Sequence, residues 1–237
     1  MSTKSIGVDV INYEAFQRLN YGIFIVGVAW DGKDYGCLVN SFAQVTSGAR
    51  PRFTLTLNKK NATYLALHTQ KSVAVSVVPR NASGELLHLF GFESSRHTEK
   101  FSCYESARAD NGNPYLTGAN AVISLRAVQE VDLGSYRRYG PSSTDTKVSQ
   151  ELDLNSYALF VLDAEDARAL HDVPALTLAD YNADGGDIPD GITAYRTPVR
   201  AHGYVCRLCG YLHRSDNLPN EFLCPVCGAG SAVFDKK

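Results

Sequence analysis

Four cysteines in the C-terminal part of the chain form the pattern with the most definite chemistry. They make two C-x-x-C pairs, Cys206 with Cys209 and Cys224 with Cys227, and 14 residues lie between the pairs. Each pair can place two thiolates on one side of a tetrahedral ion, and soft sulfur ligands in that geometry select zinc or iron. Because the rest of the chain is poor in cysteine, the clustering favours a metal site over a disulfide framework.

The segment that carries these cysteines resembles rubredoxin. It contains C-x-x-C-G-Y at 206–211 and C-P-x-C-G at 224–228, and Tyr204, Phe222 and Phe234 are the aromatic residues expected in its core. The loop between the pairs is shorter than in free-standing rubredoxins and lacks their core tryptophan, as in the rubredoxin-like domain of rubrerythrins. The resemblance implies one iron on four cysteines, which cycles between two oxidation states. A zinc ribbon, which transfers no electrons, is the alternative.

A segment this short buries little apolar surface, so we expect metal binding to supply much of its folding energy.

Two clusters of polar and basic residues lie earlier in the chain. Residues 40–63 are dense in Asn, Ser and Thr around a predicted strand, and residues 89–101 place Arg96 and Lys100 four positions apart. Hydroxyl and amide groups at strand ends and on loops can donate to a phosphate or to a polar ring edge. Alone, the first cluster is typical of a polar turn and the second of a solvated face. The sequence contains neither a G-x-G-x-x-G nor a G-x-x-x-x-G-K-[ST] motif.

Together the two clusters resemble the flavin reductase-like, FMN-binding split-barrel family. The matching motifs are N-x-x-x-Q-V-T-S, L-N-K-x-N-x-T and F-G-F-x-S-x-R-x-x-x-K-F, and 31–40, 119–121 and 174–181 extend the match. The resemblance implies an antiparallel split barrel, a homodimer, and FMN bound near the dimer interface. Arg96 and Lys100 suit the phosphate best, since it needs fixed positive charge. The residues implied for the ring and ribityl chain are Asn40, Ser41, Thr46 and Ser47, and those implied for the chain and phosphate are Asn58, Lys59, Asn61, Thr63, Ser95, Arg96 and Lys100.

The elements that must position these residues are mostly strands. Alternating or continuous apolar runs predict the strands, and short capped segments predict the helices. This pattern indicates a barrel with small helical covers. Together with the resemblance, it implies a mainly β chain, an antiparallel FMN-binding split β-barrel with short helices, plus a small C-terminal rubredoxin-like iron module. The predicted strands are 23–30, 35–40, 52–58, 72–78, 121–131 and 156–165, with a hairpin turn at 31–33, and the predicted helices are 12–20, 61–68 and 84–92.

The predicted domains are a flavin domain at 1–198, a linker at 199–203 and the iron module at 204–237. The stretch 134–150 is polar and is predicted to be an inserted loop that can cover the flavin. It interrupts the place where the family runs G-T-H into its next strand, so the family's histidine near the nicotinamide is missing. We interpret His88 and His97 as ordinary surface or packed side chains. Cys37 and Cys103 are interpreted as buried or inert thiols.

Composition limits the classes of function. A net charge of −2 with 20% charged residues argues against a nucleic-acid surface. The N-terminus lacks the apolar core of a signal peptide, and no run of 18 apolar residues occurs, so no membrane contact and a cytoplasmic location are expected.

A flavin joined to a four-cysteine iron suggests conversion of two-electron reduction by NAD(P)H into one-electron delivery. The fused arrangement resembles the high-molecular-weight rubredoxins, which supply flavodiiron or rubrerythrin-type acceptor proteins. Two alternatives remain open. The chain is a pure electron carrier without NAD(P)H activity, or a flavin-dependent sensor with a zinc ribbon.

Overall fold

The computed structural model describes residues 19–133, 157–183, 203–207, 212–213, 215, 217–225 and 228–236. The flavin domain is mainly antiparallel β, as predicted. Its strands are β1 (Phe24–Trp30), β2 (Lys33–Val39), β3 (Phe42–Gln44), β4 (Arg52–Asn58), β5 (Ser72–Val77), β6 (Ser106–Arg108), β7 (Pro114–Leu116), β8 (Ala121–Asp132) and β9 (Tyr157–Ala169). Its α-helices are α1 (Ala62–Gln70), α2 (Gly84–Phe92) and α3 (Leu178–Ala183), and a 3₁₀ turn spans Lys100–Cys103.

Seven of these strands form one sheet in the order β2-β1-β5-β8-β9-β4-β3. The two edge strands, β2 and β3, follow each other in sequence with only Asn40 and Ser41 between them. Because two residues span about 7 Å at most, the sheet must curl until its edges nearly meet. The ring of Phe24 on β1 lies edge-on to that of Phe42 on β3, with centroids 5.1 Å apart. The result is a half-closed barrel whose split lies at residues 40–41.

The hairpin between β1 and β2 forms as its turn chemistry predicts. Asp31 and Gly32 both have positive φ, 51° and 71°, which is the backbone of a two-residue hairpin turn. The register runs without a shift from Phe24 opposite Val39 to Trp30 opposite Lys33. The second strand of this hairpin ends at Val39, directly before the split at residues 40–41.

Two apolar clusters hold the barrel and its helices together. The first is the barrel interior, where Leu55, Leu125 and Phe160 pack against Leu67 of α1. The second lies outside the sheet, where Leu87 and Phe90 of α2 pack with strand residues and with the 3₁₀ turn. Both helices bury one face in these clusters, so each fixes the position of the loop next to it relative to the sheet.

The C-terminal module has a three-stranded sheet in the order β11-β10-β12, where β10 is Tyr204–Cys206, β11 is Leu212–His213 and β12 is Phe234–Lys236. A 3₁₀ turn at Ser231–Val233 precedes β12. The predicted aromatic core is confirmed, because Tyr204 and Phe222 pack against buried Phe234 and the two cysteines Cys206 and Cys224.

Most predicted elements are confirmed, and some lie beyond the described part. The strands at 23–30, 35–40, 52–58, 72–78, 121–131 and 156–165 correspond to β1, β2, β4, β5, β8 and β9, and the helices at 61–68 and 84–92 to α1 and α2. The short strands β3, β6 and β7, both 3₁₀ turns and α3 were not predicted. Residues 12–18 of the first predicted helix, the 134–150 insertion and linker residues 199–202 lie outside the described residues. Among the described residues, no helix has the length and apolar character needed to span a membrane.

Candidate functional site

The split of the barrel contains a buried polar residue with unmet hydrogen-bonding capacity. Asn40 is 2% exposed, and neither its Oδ1 nor its Nδ2 has a hydrogen-bond partner within the described part of the chain. Buried amides in folded proteins are nearly always paired. The neighbouring Ser41 hydroxyl donates to the carbonyl of Thr56 at 2.7 Å, which ties the split to β4. The free amide therefore suits the polar edge of a flavin ring.

The loop after β3 presents Thr46 and Ser47 at the surface. The Thr46 hydroxyl accepts from the amide of Arg52 at 2.8 Å, so its side chain fixes the loop against the start of β4. Ser47 is exposed and precedes Gly48, whose φ of +122° is open to glycine and rarely to other residues. The loop is thus pinned at one end while Ser47 remains accessible.

A third part of the site is the turn from β4 into α1. Asn58 is buried, and its Oδ1 accepts from the amide of Lys60 at 2.9 Å. Asn61 occupies the N-cap of α1 without a side-chain cap hydrogen bond. Lys59 forms an ion pair with Asp132. The first amides of α1 therefore keep their capacity to bind an anion.

Arg96 is brought to the same turn from the other side. Its Nη2 donates to the carbonyl of Lys60 at 2.9 Å, and its own carbonyl accepts from Lys33 Nζ at 3.3 Å. Arg96 is exposed, so its guanidinium retains free donors. An arginine beside a helix N-terminus is a suitable phosphate site. Lys33, in the hairpin, was not among the predicted site residues, although its place in the turn sequence could have drawn attention to it.

Ser95 and Lys100 lie inside the domain and bind the β1–β2 hairpin. The Ser95 hydroxyl lies 3.0 Å from both the amide and the carbonyl of Gly36. Lys100 is 2% exposed, and its Nζ donates to the carbonyls of Gly36 at 3.0 Å and Phe90 at 3.4 Å. Burial lowers the pKa of Lys100 to about 8. The predicted cofactor contact of Lys100 stays a prediction, and its surroundings favour a structural role.

Thr63 and Cys37 form part of the same interior. Burial raises the pKa of the Cys37 thiol, against the opposing effects of nearby Lys100 and of a hydrogen bond from Thr63. The interpretation of Cys37 as a buried thiol is confirmed, whereas Cys103 is exposed in the 3₁₀ turn. Of the predicted flavin residues, Thr46, Ser47 and Arg96 are exposed, Ser41, Lys59 and Asn61 are half-buried, and the others are buried, namely Asn40, Asn58, Thr63, Ser95 and Lys100.

The candidate metal centre is defined by two of the four cysteines. Cys206 at the end of β10 and Cys224 in the following loop are both buried, and both contact the aromatic core of the module. The amide of Gly228 donates to the carbonyl of Cys224 at 2.7 Å, and the φ of Gly228 is +71°. This tight turn, with thiols in an apolar shell, suits a four-thiolate iron. Cys209 and Cys227 lie outside the described residues, so their part in the site stays a prediction.

Known proteins share both halves of this architecture. The flavin reductase like domain family matches residues 16–186, and the rubredoxin-like domain of rubrerythrin matches residues 204–235. The chain belongs to the flavin reductase-like family, and it carries a rubredoxin-like module at its C-terminal end. Membership in this family implies a bound flavin, and the module implies iron.

Individual relatives match most or nearly all of this chain. A high molecular weight rubredoxin from Moorella thermoacetica is 24% identical over 94% of this chain and 98% of its own length. A ferric-chelate reductase (NAD(P)H) from Archaeoglobus fulgidus is 32% identical over 78% of this chain and 98% of its own. The flavin reductase HpaC, solved in complex with NADP⁺, superposes with a TM-score of 0.54 at 17% identity, covering 70% of this chain and 90% of that one. That last similarity concerns the fold.

Proposed function

We propose that this protein is an NAD(P)H-dependent oxidoreductase that transfers electrons through FMN to one iron on four cysteines, and onward to a flavodiiron or rubrerythrin-type protein. The observation that carries the proposal is the joining of a flavin reductase-like barrel and a rubredoxin-like module in one chain. The name of the Archaeoglobus relative and the NADP⁺ complex of the solved reductase support a nicotinamide donor.

The two predicted cofactors have complementary chemistry. A flavin accepts two electrons from a nicotinamide and can release them one at a time, whereas a four-thiolate iron takes one. Asn40, whose buried amide has no partner among the described residues, would hydrogen-bond the ring, and Arg96 with the first turn of α1 would hold the phosphate. Cys206 and Cys224, with Cys209 and Cys227, would hold the iron.

We also propose a homodimer, which the family resemblance implies. Several apolar side chains are exposed on α1, in the second half of β8 and directly after it. Tyr64, on α1, donates to Glu130 of β8 at 2.9 Å, so the helix lies along that part of the strand. Exposed apolar side chains of this kind are candidates for a protein interface. They are Leu65, Val128, Val131 and Leu133.

Anaerobic rapid mixing of the pure protein with NADH or NADPH tests the proposal. We expect the flavin absorption to bleach first and the iron bands second, with one iron per chain by elemental analysis. A flavodiiron or rubrerythrin-type protein should then reoxidise the iron. Cys224→Ser should lack the iron phase because it removes one ligand, while Cys103→Ser, which changes an exposed thiol, should retain both phases.

The alternatives predict different results. If neither nucleotide reduces the flavin while a separate reductase does, the protein is a carrier. Stoichiometric zinc in iron-replete protein would identify the module as a zinc ribbon. Bleaching of iron before flavin would contradict the proposed order of transfer.

A further inference from the structure

Within the described residues, the rubredoxin-like module approaches the flavin domain at His97. A Cβ built on Gly228 would lie 3.0 Å from Nε2 of His97, closer than side-chain carbons ordinarily come to a neighbouring group. Gly228 follows Cys227 directly in the sequence and has its amide bonded to Cys224. Gly228, at the end of the turn that follows Cys224, therefore lies against His97 of the barrel.

This turn is well suited to present a fixed surface. The amide of Cys224 donates to the carbonyl of Ala229 at 2.7 Å, the amide of Gly228 returns to Cys224, and a bridge joins Leu223 to Gly230. These bonds close the turn on itself. Since Gly228 has no side chain, its backbone can approach a partner that any other residue would hold away.

The opposing surface is equally constrained by hydrogen bonds. The amides of His97 and Thr98 both donate to the carbonyl of Ser94, at 3.0 and 3.1 Å, and the adjacent Ser95 is fixed to the β1–β2 hairpin. His97 itself is exposed, and it follows Arg96, the residue we propose for the flavin phosphate. The loop thus links the flavin site to the side chain that meets the module.

We propose that His97 is the docking point for the cysteine turn of the module, and that this contact holds the module against the flavin domain for electron transfer. A flavin bound to the barrel would supply electrons singly and an iron held by the cysteines would accept one at a time, so two docking events would discharge one two-electron reduction. This inference rests on the function proposed above, but the docking itself does not require either cofactor to be redox-active. His97 acts as a positioning residue, because it contacts the module and no reacting atom.

The proposal is tested in the full-length protein with His97→Ala and the matched control His88→Ala. His88 is a second histidine near the same loop, and its ring stacks on Phe92 of the same helix with centroids 4.8 Å apart. The first measurement is hydrogen exchange of the zinc-substituted protein, which reports docking without electron transfer. His97→Ala should raise exchange in the peptide that covers 223–230, more than a hundred residues away in sequence, while His88→Ala should not.

The second measurement is the rate of iron reduction after the flavin has been reduced. His97→Ala should slow it about tenfold, equivalent to a loss of ~1.4 kcal/mol of docking, with flavin reduction and flavin affinity unchanged. Unchanged exchange in the zinc form would overturn the docking contact. Altered exchange with an unchanged rate would overturn its role in electron transfer. If the wild-type flavin is not reduced at all, the proposed function fails, and the zinc form still decides whether the contact exists.

Discussion

Two basic residues of one sequence motif have opposite surroundings in this protein. Arg96 is exposed beside the first turn of α1, whereas Lys100 is buried under the β1–β2 hairpin and donates to backbone carbonyls. A guanidinium at the surface can exchange its free donors for a phosphate. A buried ammonium that already satisfies two carbonyls would leave them unpaired if it moved to a ligand.

Replacing Arg96 should therefore lower the affinity for FMN directly, and the loss should exceed any that follows from reduced stability of the fold. For Arg96→Ala we expect a loss of about 1.5–3 kcal/mol, the value of one charge-assisted hydrogen bond, and so at least a roughly tenfold rise in Kd for FMN. Fluorescence titration with FMN measures it. The control is Arg126→Ala, which removes an exposed arginine paired with Glu165 on the sheet. Equal affinity in Arg96→Ala and the wild type would place the phosphate elsewhere.

Lys100 should instead control how stability depends on pH. Burial lowers its pKa from 10.5 to about 8, so between these values the unfolded chain holds a proton that the native state has released. The contribution of Lys100 to the free energy of unfolding must then increase with pH across that window, by at most about 1.4 kcal/mol per pH unit. Between pH 7.5 and 9, wild type should gain about 1 kcal/mol relative to Lys100→Met.

Denaturant unfolding of both proteins at the two pH values gives the comparison. Cys37 is present in each, and measurements at or below pH 9 limit the opposite effect of its raised pKa. If the difference in free energy of unfolding between the two proteins is the same at both pH values, the pKa of Lys100 is not lowered in the folded protein.

The packing around the β1–β2 hairpin depends on two glycines that leave no room for a side chain. In β1, a Cβ at Gly27 would lie 2.0 Å from the carbonyl oxygen of Pro114 in β7, so no side chain fits between these strands. At Gly36 in β2, it would lie 2.7 Å from the ring of Phe101. The close approach of these strands brings the 3₁₀ turn and Lys100 under the hairpin.

Gly27→Ala should force β7 away from β1. Overpacking of a core usually costs about 1–3 kcal/mol, and contact with backbone places this site at the upper end. Thermal or urea unfolding of the purified variant measures the loss. Gly118→Ala is the matched control, because a Cβ there meets nothing within 4 Å. A stability of Gly27→Ala equal to that of the control would contradict the described packing.

The sequence predicts the individual strands, helices and turns better than the tertiary contacts between them. The hairpin at Asp31 and Gly32 and the strand at 52–58 follow from turn chemistry and alternation, and both are confirmed. The four-residue spacing of Arg96 and Lys100 suggested one surface, but a 3₁₀ turn that begins at Lys100 directs the second residue inward. The contact of His97 with Gly228 joins positions far apart in sequence, and no local pattern reports it.

The flavin domain and the rubredoxin-like module differ in the size and composition of their cores. The barrel holds its candidate flavin groups on a large apolar core, whereas the module has a small core built on cysteines and a few aromatic residues. Loss of metal should therefore affect the module far more than the barrel, since its metal supplies much of its stability. The proposed docking at His97 would let the module engage the barrel and still leave for the proposed partner protein.

The strand order also dictates when the barrel can be completed during synthesis. β9 lies between β8 and β4 and pairs with both, so it is the strand that joins one half of the sheet to the other. Until residue 169 has left the ribosome, β1, β2, β5 and β8 can pair with one another, but β3 and β4 have no place in the sheet. Such late, non-local pairing is slow and exposes strand edges in the meantime. The β3–β4 hairpin, which starts just after Asn40 and ends at Asn58, can therefore join the rest of the sheet only when β9 is inserted.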